Sequence, residues 1–313
     1  MLKGSLKKTS CYNMTIDAHS HYMPPEVAAN TAFFKEYWSD APRQLALMDE
    51  YHIDQAVLLY PTSDAHLNMG GWGAVCRIYN QKISELVKAH PGRFIGAGIL
   101  PPDPAGIKEE LKRIKDLGLK MLSLASSYEG KYLDDPMFDE VFAFAAANKM
   151  PVHVHPQILN PIGQERVQDP LLSPVLEYVF DVSMCIGKMM MSGVFKKHPQ
   201  VSFIFAHFGG VLPIVKERFD STYSMLRRRN FVKDLGENPS ACFSRLYFDM
   251  SGTRSVGTLQ TALEVSDAGH LLWGSDFPAN QNFKDSLSVI SQGILIENTR
   301  NLILGENLRS LLQ

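Results

Sequence analysis

Residues 94–125 read FIGAGILPPDPAGIKEELKRIKDLGLKMLSLA, and the fold follows from this stretch. Two short apolar runs, 94–99 and 119–125, flank a segment with a different period. Between Pro104 and Gly118, Ile107, Leu111, Ile114 and Leu117 recur three and four apart, which makes one stripe on a helix. Gly118 follows the last stripe residue, where a helix stop belongs. The flanking runs show no polar/apolar alternation and read as strands buried on both faces. Strand, helix and strand in succession imply a right-handed crossover and a parallel sheet.

The same unit recurs in both directions. Further apolar runs at 14–18, 53–59, 151–155, 201–206, 245–250 and 270–275 bring the strand candidates to eight. Segments 43–51, 75–89 and 137–148 show helical spacing between them. Eight such units in 313 residues fit a single-domain (β/α)8 TIM barrel. A doubly wound sheet would want a glycine-rich phosphate turn after its first strand, and none follows residue 18. The longer insertions are 22–42, 60–74 and 156–200, and the first and third follow strands one and five on the face where barrels build active sites. Linker composition is absent, so residues 14–313 are expected to form one domain. The preceding MLKGSLKKTSCYN is basic without an apolar core, so residues 1–13 are expected to be a loose tail, with Met14 an alternative start.

Composition excludes several functions. Apolar residues make up 45% and charged residues 20%, as in an ordinary globular protein. Lys and Arg total 31 against 33 Asp and Glu, so no net field attracts nucleic acid or an anionic membrane. No apolar run approaches the roughly 20 residues of a membrane span. Cys11, Cys76, Cys185 and Cys242 are widely separated, which reads as reduced thiols of a cytoplasmic protein.

Chemistry gathers at the strand ends. In Asp17-Ala-His19-Ser-His21 the two histidines are two apart, share a strand face and can hold one divalent metal. Val152-His153-Val-His155-Pro156 repeats the pattern: His155 sits at the rim, while His153 lies about 6–7 Å deeper and reads as a core or supporting residue. His207, in Phe-Ala-His-Phe-Gly-Gly, is a ligand or a proton-transfer group. Asp276, in Trp-Gly-Ser-Asp-Phe-Pro, is a metal ligand, a general acid/base or a turn residue. His19, His21, His155, His207 and Asp276 all sit at C-terminal strand ends, which converge in a closed barrel. His52, His90, His198 and His270 fall before strands or in connections, and His66 lies in the loop after strand two. Tyr22, Trp72, Phe208 and Phe277 are aromatics near the rim, suited to stacking a substrate ring.

DAHSH, VHVHP, FAHFGG and WGSDFP, in this order, resemble the amidohydrolase superfamily. The likeness is to the amidohydrolase-related branch containing aminocarboxymuconate-semialdehyde decarboxylase and the aromatic-acid decarboxylases. It runs from about Met14 to the C-terminal helix around 304–312. The resemblance implies one catalytic divalent metal, usually zinc with manganese as the alternative, held by His19, His21, His155 and Asp276, with His207 beside it as acid/base. Lys120 starts strand four and does not reach its rim, so no lysine-bridged second metal is expected. Arg218, eleven residues after His207, matches an arginine that reaches the neighbouring subunit's site and binds a carboxylate, which implies a homodimer. A second substrate arginine of that branch aligns with Gln44, next to Arg43, which favours a monocarboxylate such as a hydroxybenzoate over the muconate. The resulting expectation is a metal-dependent non-oxidative decarboxylase of a small aromatic or unsaturated acid. The alternatives are a metal-dependent hydrolase or hydratase and a non-catalytic metal-binding barrel.

Overall fold

The computed structural model describes residues 14–33, 36–167, 169–292 and 296–313; the expected tail over residues 1–13 lies outside them. Eight strands form the main sheet: β1 (Ile16–His21), β2 (Gln55–Leu59), β3 (Phe94–Gly98), β4 (Met121–Ala125), β5 (Val152–His155), β6 (Phe203–Phe205), β7 (Tyr247–Asp249) and β8 (Leu271–Leu272). They lie side by side in chain order, and every neighbouring pair is parallel. The segment after β8 closes the ring on β1, with Ala18 N donating to Trp273 O at 2.9 Å, Asp276 N to His19 O at 2.8 Å and His21 N to Phe277 O at 2.7 Å. The expected eight-stranded (β/α)8 barrel is the fold observed.

The main helices are α1 (Ala41–Glu50), α2 (Trp72–Ala89), α3 (Pro104–Leu117), α4 (Asp139–Asn148), α5 (Tyr178–Ser192), α6 (Lys216–Arg228), α7 (Val256–Val265) and α8 (Phe283–Gln292). In α3 the predicted stripe is the packed face: Ile107, Leu111 and Ile114 are buried. Asp103 accepts the Gly106 N–H at its start, and Gly118 ends it at φ 77°, a conformation open to glycine. The stretch 156–200 is not a bare insertion, because it contains the crossover helix α5. A short antiparallel hairpin, Ser127–Tyr128 with Lys131–Tyr132, follows β4 and was not expected. It is too short to carry a hydrophobic period. No described helix is long and apolar enough to cross a membrane.

Two apolar layers coat the strands. The larger lies between sheet and helices, with Ala56, Leu58, Leu122, Leu124, Val152, Val154, Phe203 and Phe205. Residues of opposite parity, Ile16, Ala18, Val57, Leu59, Ile95, Ala97, Met121, Ile204 and Leu272, form a separate cluster inside the barrel. By this alternation Ser20 would continue the inner face of β1. Instead the register slips: Asp17 pairs with Ala56 but Ser20 with Leu58, so three steps on β1 match two on β2. The bulge turns His19 and His21 inward and Ser20 outward. Asp17 supports it by accepting the His19 N–H at 3.1 Å and both the Ser275 N–H (2.9 Å) and O–H (2.5 Å).

Candidate metal centre

Above the apolar floor the barrel interior becomes polar. His19, His21, His155 and Asp276 bring one potential ligand atom each to within 4.8 Å of one another, three of them buried. His19 Nε2 and His21 Nε2 are 3.0 Å apart, and each is 3.4 Å from Asp276 Oδ1. Two nitrogens at about 2.1 Å from a common ion are about 3.0–3.4 Å apart for angles between a right angle and a tetrahedral one. Facing lone pairs at such a distance repel unless a proton or a cation lies between them. The donor set therefore fits a divalent ion.

Hydrogen bonds on the far side of the rings orient them. His19 Nδ1 lies 3.0 Å from Asp249 Oδ2, and His155 Nδ1 lies 3.0 Å from the Pro156 carbonyl. Both partners accept only, so each ring carries its proton on Nδ1 and turns the Nε2 lone pair toward the cluster. His21 Nδ1 is buried without a partner among the described residues. Asp276 holds its place at φ 62°, and His207 at φ 51°, both in the left-handed region that non-glycine residues seldom adopt.

Electrostatics follows from the packing. Burial, reinforced by the neighbouring imidazoles, holds His155 well below the ordinary histidine value, and burial also lowers His21. Both are neutral and offer lone pairs. Burial pulls His19 down too, but the Asp249 carboxylate outweighs it and lifts the group to about 9. Burial raises Asp276, yet His21 and His19 bring it to about 2. A metal ion would take the place of the proton that this set retains.

The other expected residues are distributed as follows. His207 stands beside the cluster, half-buried, with ring centroids 5.2 Å from His19 and 5.9 Å from His155. His153 is fully buried below and bonds Asp249 Oδ2 through Nε2 at 2.8 Å. Tyr22 and Phe277 are buried in the wall. Trp72 stacks on His66 at 4.5 Å and meets Tyr128 edge-on, forming an aromatic group at the head of α2. Gln44 is buried but donates to Ser20 Oγ at 2.8 Å, on the outward side of β1, while Arg43 covers Tyr37 and bonds Gln281. Arg218 is exposed on α6 and makes no ion pair among the described residues. Lys120 is exposed just before β4.

Asp249 and Ser251 were not singled out from the sequence. Asp249 is fully buried and held well below the ordinary carboxylate range: burial opposes this, but His19 and His153 overcome it. The signal was available, since a lone acid in the apolar run RLYFDM must find partners inside. Ser251, two residues on, carried no such mark.

Known proteins share the family and the fold. Gamma-resorcylate decarboxylase of a Rhizobium species is 26% identical over 289 residues, covering 82% of this chain and 86% of that one. The 2-amino-3-carboxymuconate-6-semialdehyde decarboxylase of Dictyostelium discoideum is 30% identical over 147 residues, 46% of this chain and 40% of its own. Among solved structures, 5-carboxyvanillate decarboxylase from Sphingomonas paucimobilis superposes with a TM-score of 0.87 at 22% identity, covering 96% of this chain and 99% of that one. A dihydroxybenzoic acid decarboxylase from Polaromonas, solved with manganese and 2-nitroresorcinol, gives 0.81 at 23%, covering 96% and 97%. The Amidohydro_2 model matches residues 16–307, and with its barrel and its histidine-aspartate cluster the chain belongs to the amidohydrolase family.

Proposed function

We propose that the protein is a metal-dependent non-oxidative decarboxylase of a small aromatic acid carrying a hydroxyl ortho to its carboxylate. The observation that carries this reading is the convergence of four ligand residues and His207 at one barrel mouth, in a chain whose relatives are named as decarboxylases of such acids. A bound divalent ion supplies the positive charge that fixes the carboxylate and the neighbouring hydroxyl. Three imidazoles and a carboxylate suit zinc, and manganese is the alternative. His19, His21, His155 and Asp276 hold the ion, while Phe277, Tyr22 and Trp72 shape the wall for the ring. The C–CO2 bond breaks with its electron pair left on the ring carbon, and a proton from His207 takes the vacated position. One carboxylate and one proton give one arene and one CO2. Asp276, ionised in this setting, is assigned to ligation before proton delivery.

We also infer a homodimer. Leu171, Val175, Ile214 and Phe231 are 55–72% exposed. Met191, Phe219, Tyr223 and Leu226 line an apolar groove of about 420 Å³ that also contains Arg218. Exposed apolar area on this scale suits a second copy. Arg218, which makes no ion pair among the described residues, is then the carboxylate-binding residue offered to the partner. Buried free thiols at Cys76, Cys185 and Cys242 fit a reducing compartment such as the cytoplasm.

The deciding experiment is CO2 release from a panel of hydroxybenzoates by metal-loaded protein, run beside ester and lactone substrates. His207→Ala should keep the metal and lower the rate by about 10²–10⁴. Hydrolysis without CO2 from any acid would turn the assignment to a hydrolase. Sedimentation showing a monomer would end the role of Arg218 alone.

A further inference from the structure

The hydrogen bonds around His207 have a direction that can be worked out. Asp249 is a carboxylate and can only accept. Its Oδ2 faces His19 Nδ1 at 3.0 Å and His153 Nε2 at 2.8 Å. Its Oδ1 receives the His207 N–H at 3.2 Å, the Ser251 N–H at 3.1 Å and the Ser251 hydroxyl at 2.6 Å. The last distance is that of a charge-assisted O–H···O⁻ bond. Without a proton between them, two oxygens so close would repel. Ser251 has only one hydroxyl proton, and Asp249 holds it.

The Ser251 oxygen is therefore an acceptor toward everything else. His207 Nδ1 lies 2.9 Å from it, and the other neighbour of that nitrogen is the Ser251 carbonyl at 3.5 Å. Both can only accept, so Nδ1 must carry the proton. His207 Nε2, on the opposite edge, makes no hydrogen bond among the described residues. We propose that Ser251 is a positioning residue that locks His207 in the Nδ1–H form, leaving Nε2 as the single nitrogen from which it works.

This deepens the decarboxylase reading and rests on it for its consequence. In each turnover Nε2 takes up a proton from solvent and gives it to the ring carbon, while the other proton stays on Nδ1 in its hydrogen bond to Ser251 Oγ. Asp249 then has two tasks on two oxygens. Oδ2 orients the ligand His19, and Oδ1 fixes, directly and through Ser251, the backbone and ring of His207. Ser251 Oγ also lies 3.1 Å from His19 Nδ1, but that ring keeps its carboxylate partner at 3.0 Å, so Ser251→Ala should remove support from the His207 ring while Asp249 Oδ2 still orients His19.

The test uses zinc-loaded protein with ¹⁵N-labelled histidine rings, the His207 signal being assigned by its absence in His207→Gln. The wild type should show a protonated Nδ1 and a bare Nε2 on the neutral ring. Ser251→Ala should shift His207 toward a mixture of tautomers, keep a full metal load, and lower kcat on the order of 10–100-fold with KM little changed. Ser251→Thr, which restores the hydroxyl, should return both the tautomer and most of the rate. A wild-type ring protonated on Nε2, or an Ala variant with unchanged tautomer and kcat, overturns the proposal. Because the ring signal is read without turnover, absence of CO2 release would sink the decarboxylase reading while leaving this result readable.

Discussion

The inside of the barrel holds two layers of different character. Below lie Ile16, Ala18, Val57, Leu59, Ile95, Ala97, Met121, Ile204 and Leu272, a floor with no polar side chain. Above lie His153 and His155 of β5 and Asp249 at the end of β7, joined by His19, His21 and Asp276. Both layers face the barrel interior, but the floor follows the strand alternation while a bulge on β1 and the irregular backbone after β8 bring in part of the upper layer. They differ in how they are held. The floor is held by shape, since each methyl group needs only neighbours. The upper layer is held by pairing, since each buried charge or lone pair needs a particular partner at a particular atom. Substitutions in the floor should therefore register in stability with the site intact, and substitutions above should register in metal binding and chemistry.

The largest effect should come from His155→Ala. It removes a candidate ligand whose other nitrogen is already committed to Pro156 O. Metal content should collapse and activity fall to background, a greater loss than the 10–100-fold typical of an outer hydrogen-bond partner. Elemental analysis beside circular dichroism checks it; a variant that still binds one metal per chain would remove His155 from the ligand set.

Asp249→Asn should come next. Two imidazoles lose their anionic partner, and an amide N–H is brought against donors. Metal affinity should weaken about 10–100-fold, and stability should fall by about 3–5 kcal/mol, the cost of breaking a buried charged contact. Competition with a chelator measures the first quantity and denaturant titration the second. Ile204→Val in the floor should be milder, about 0.5–1.5 kcal/mol, with metal stoichiometry unchanged. If Ile204→Val emptied the metal site, the two layers would not be separable.

The floor and the helix stripes were legible from the sequence because each needs only a period, as Ile107, Leu111 and Ile114 demonstrate. The histidines were legible because His19, His21, His155 and His207 fall together with Asp276 at the ends of strand-like runs, although a single His-x-His recurs by chance. Their orientation was not. Extending the inward parity of Ile16 and Ala18 would turn His19 and His21 outward, and a bulge supported by Asp17 and Ser275 reverses it. That support comes from 258 residues away, beyond the reach of any local pattern. Regular β8 ends at Leu272, so Asp276 is placed by irregular backbone against β1 and not by a strand end. Ser251 has meaning only once Asp249 and His207 are seen together.

A second buried carboxylate sharpens what pairing requires. Asp181 on α5 is 1% exposed, like Asp249, and accepts from Ser126, Ser127, Tyr132 and the Ile162 N–H. All four donors are neutral, whereas two of the groups facing Asp249 are imidazoles. Burial consequently raises Asp181 above the ordinary carboxylate value, the hydrogen bonds only partly offsetting it, while Asp249 is lowered. The sign of the pH effect follows. A carboxyl whose pKa is higher folded than unfolded binds its proton more tightly in the native state, so its contribution is present below the unfolded value near 3.8. The contribution is lost as pH rises through the folded value. Melting temperature measured upward from pH 4 should therefore carry a small downward component from Asp181. Asp181→Asn should lower stability throughout, because its amide N–H meets four donors, and should remove that component. A variant whose pH dependence matches the wild type would mean that the neutral donors suffice to hold Asp181 ionised. The contrast with Asp249 would then lie in hydrogen-bond number, not in charge.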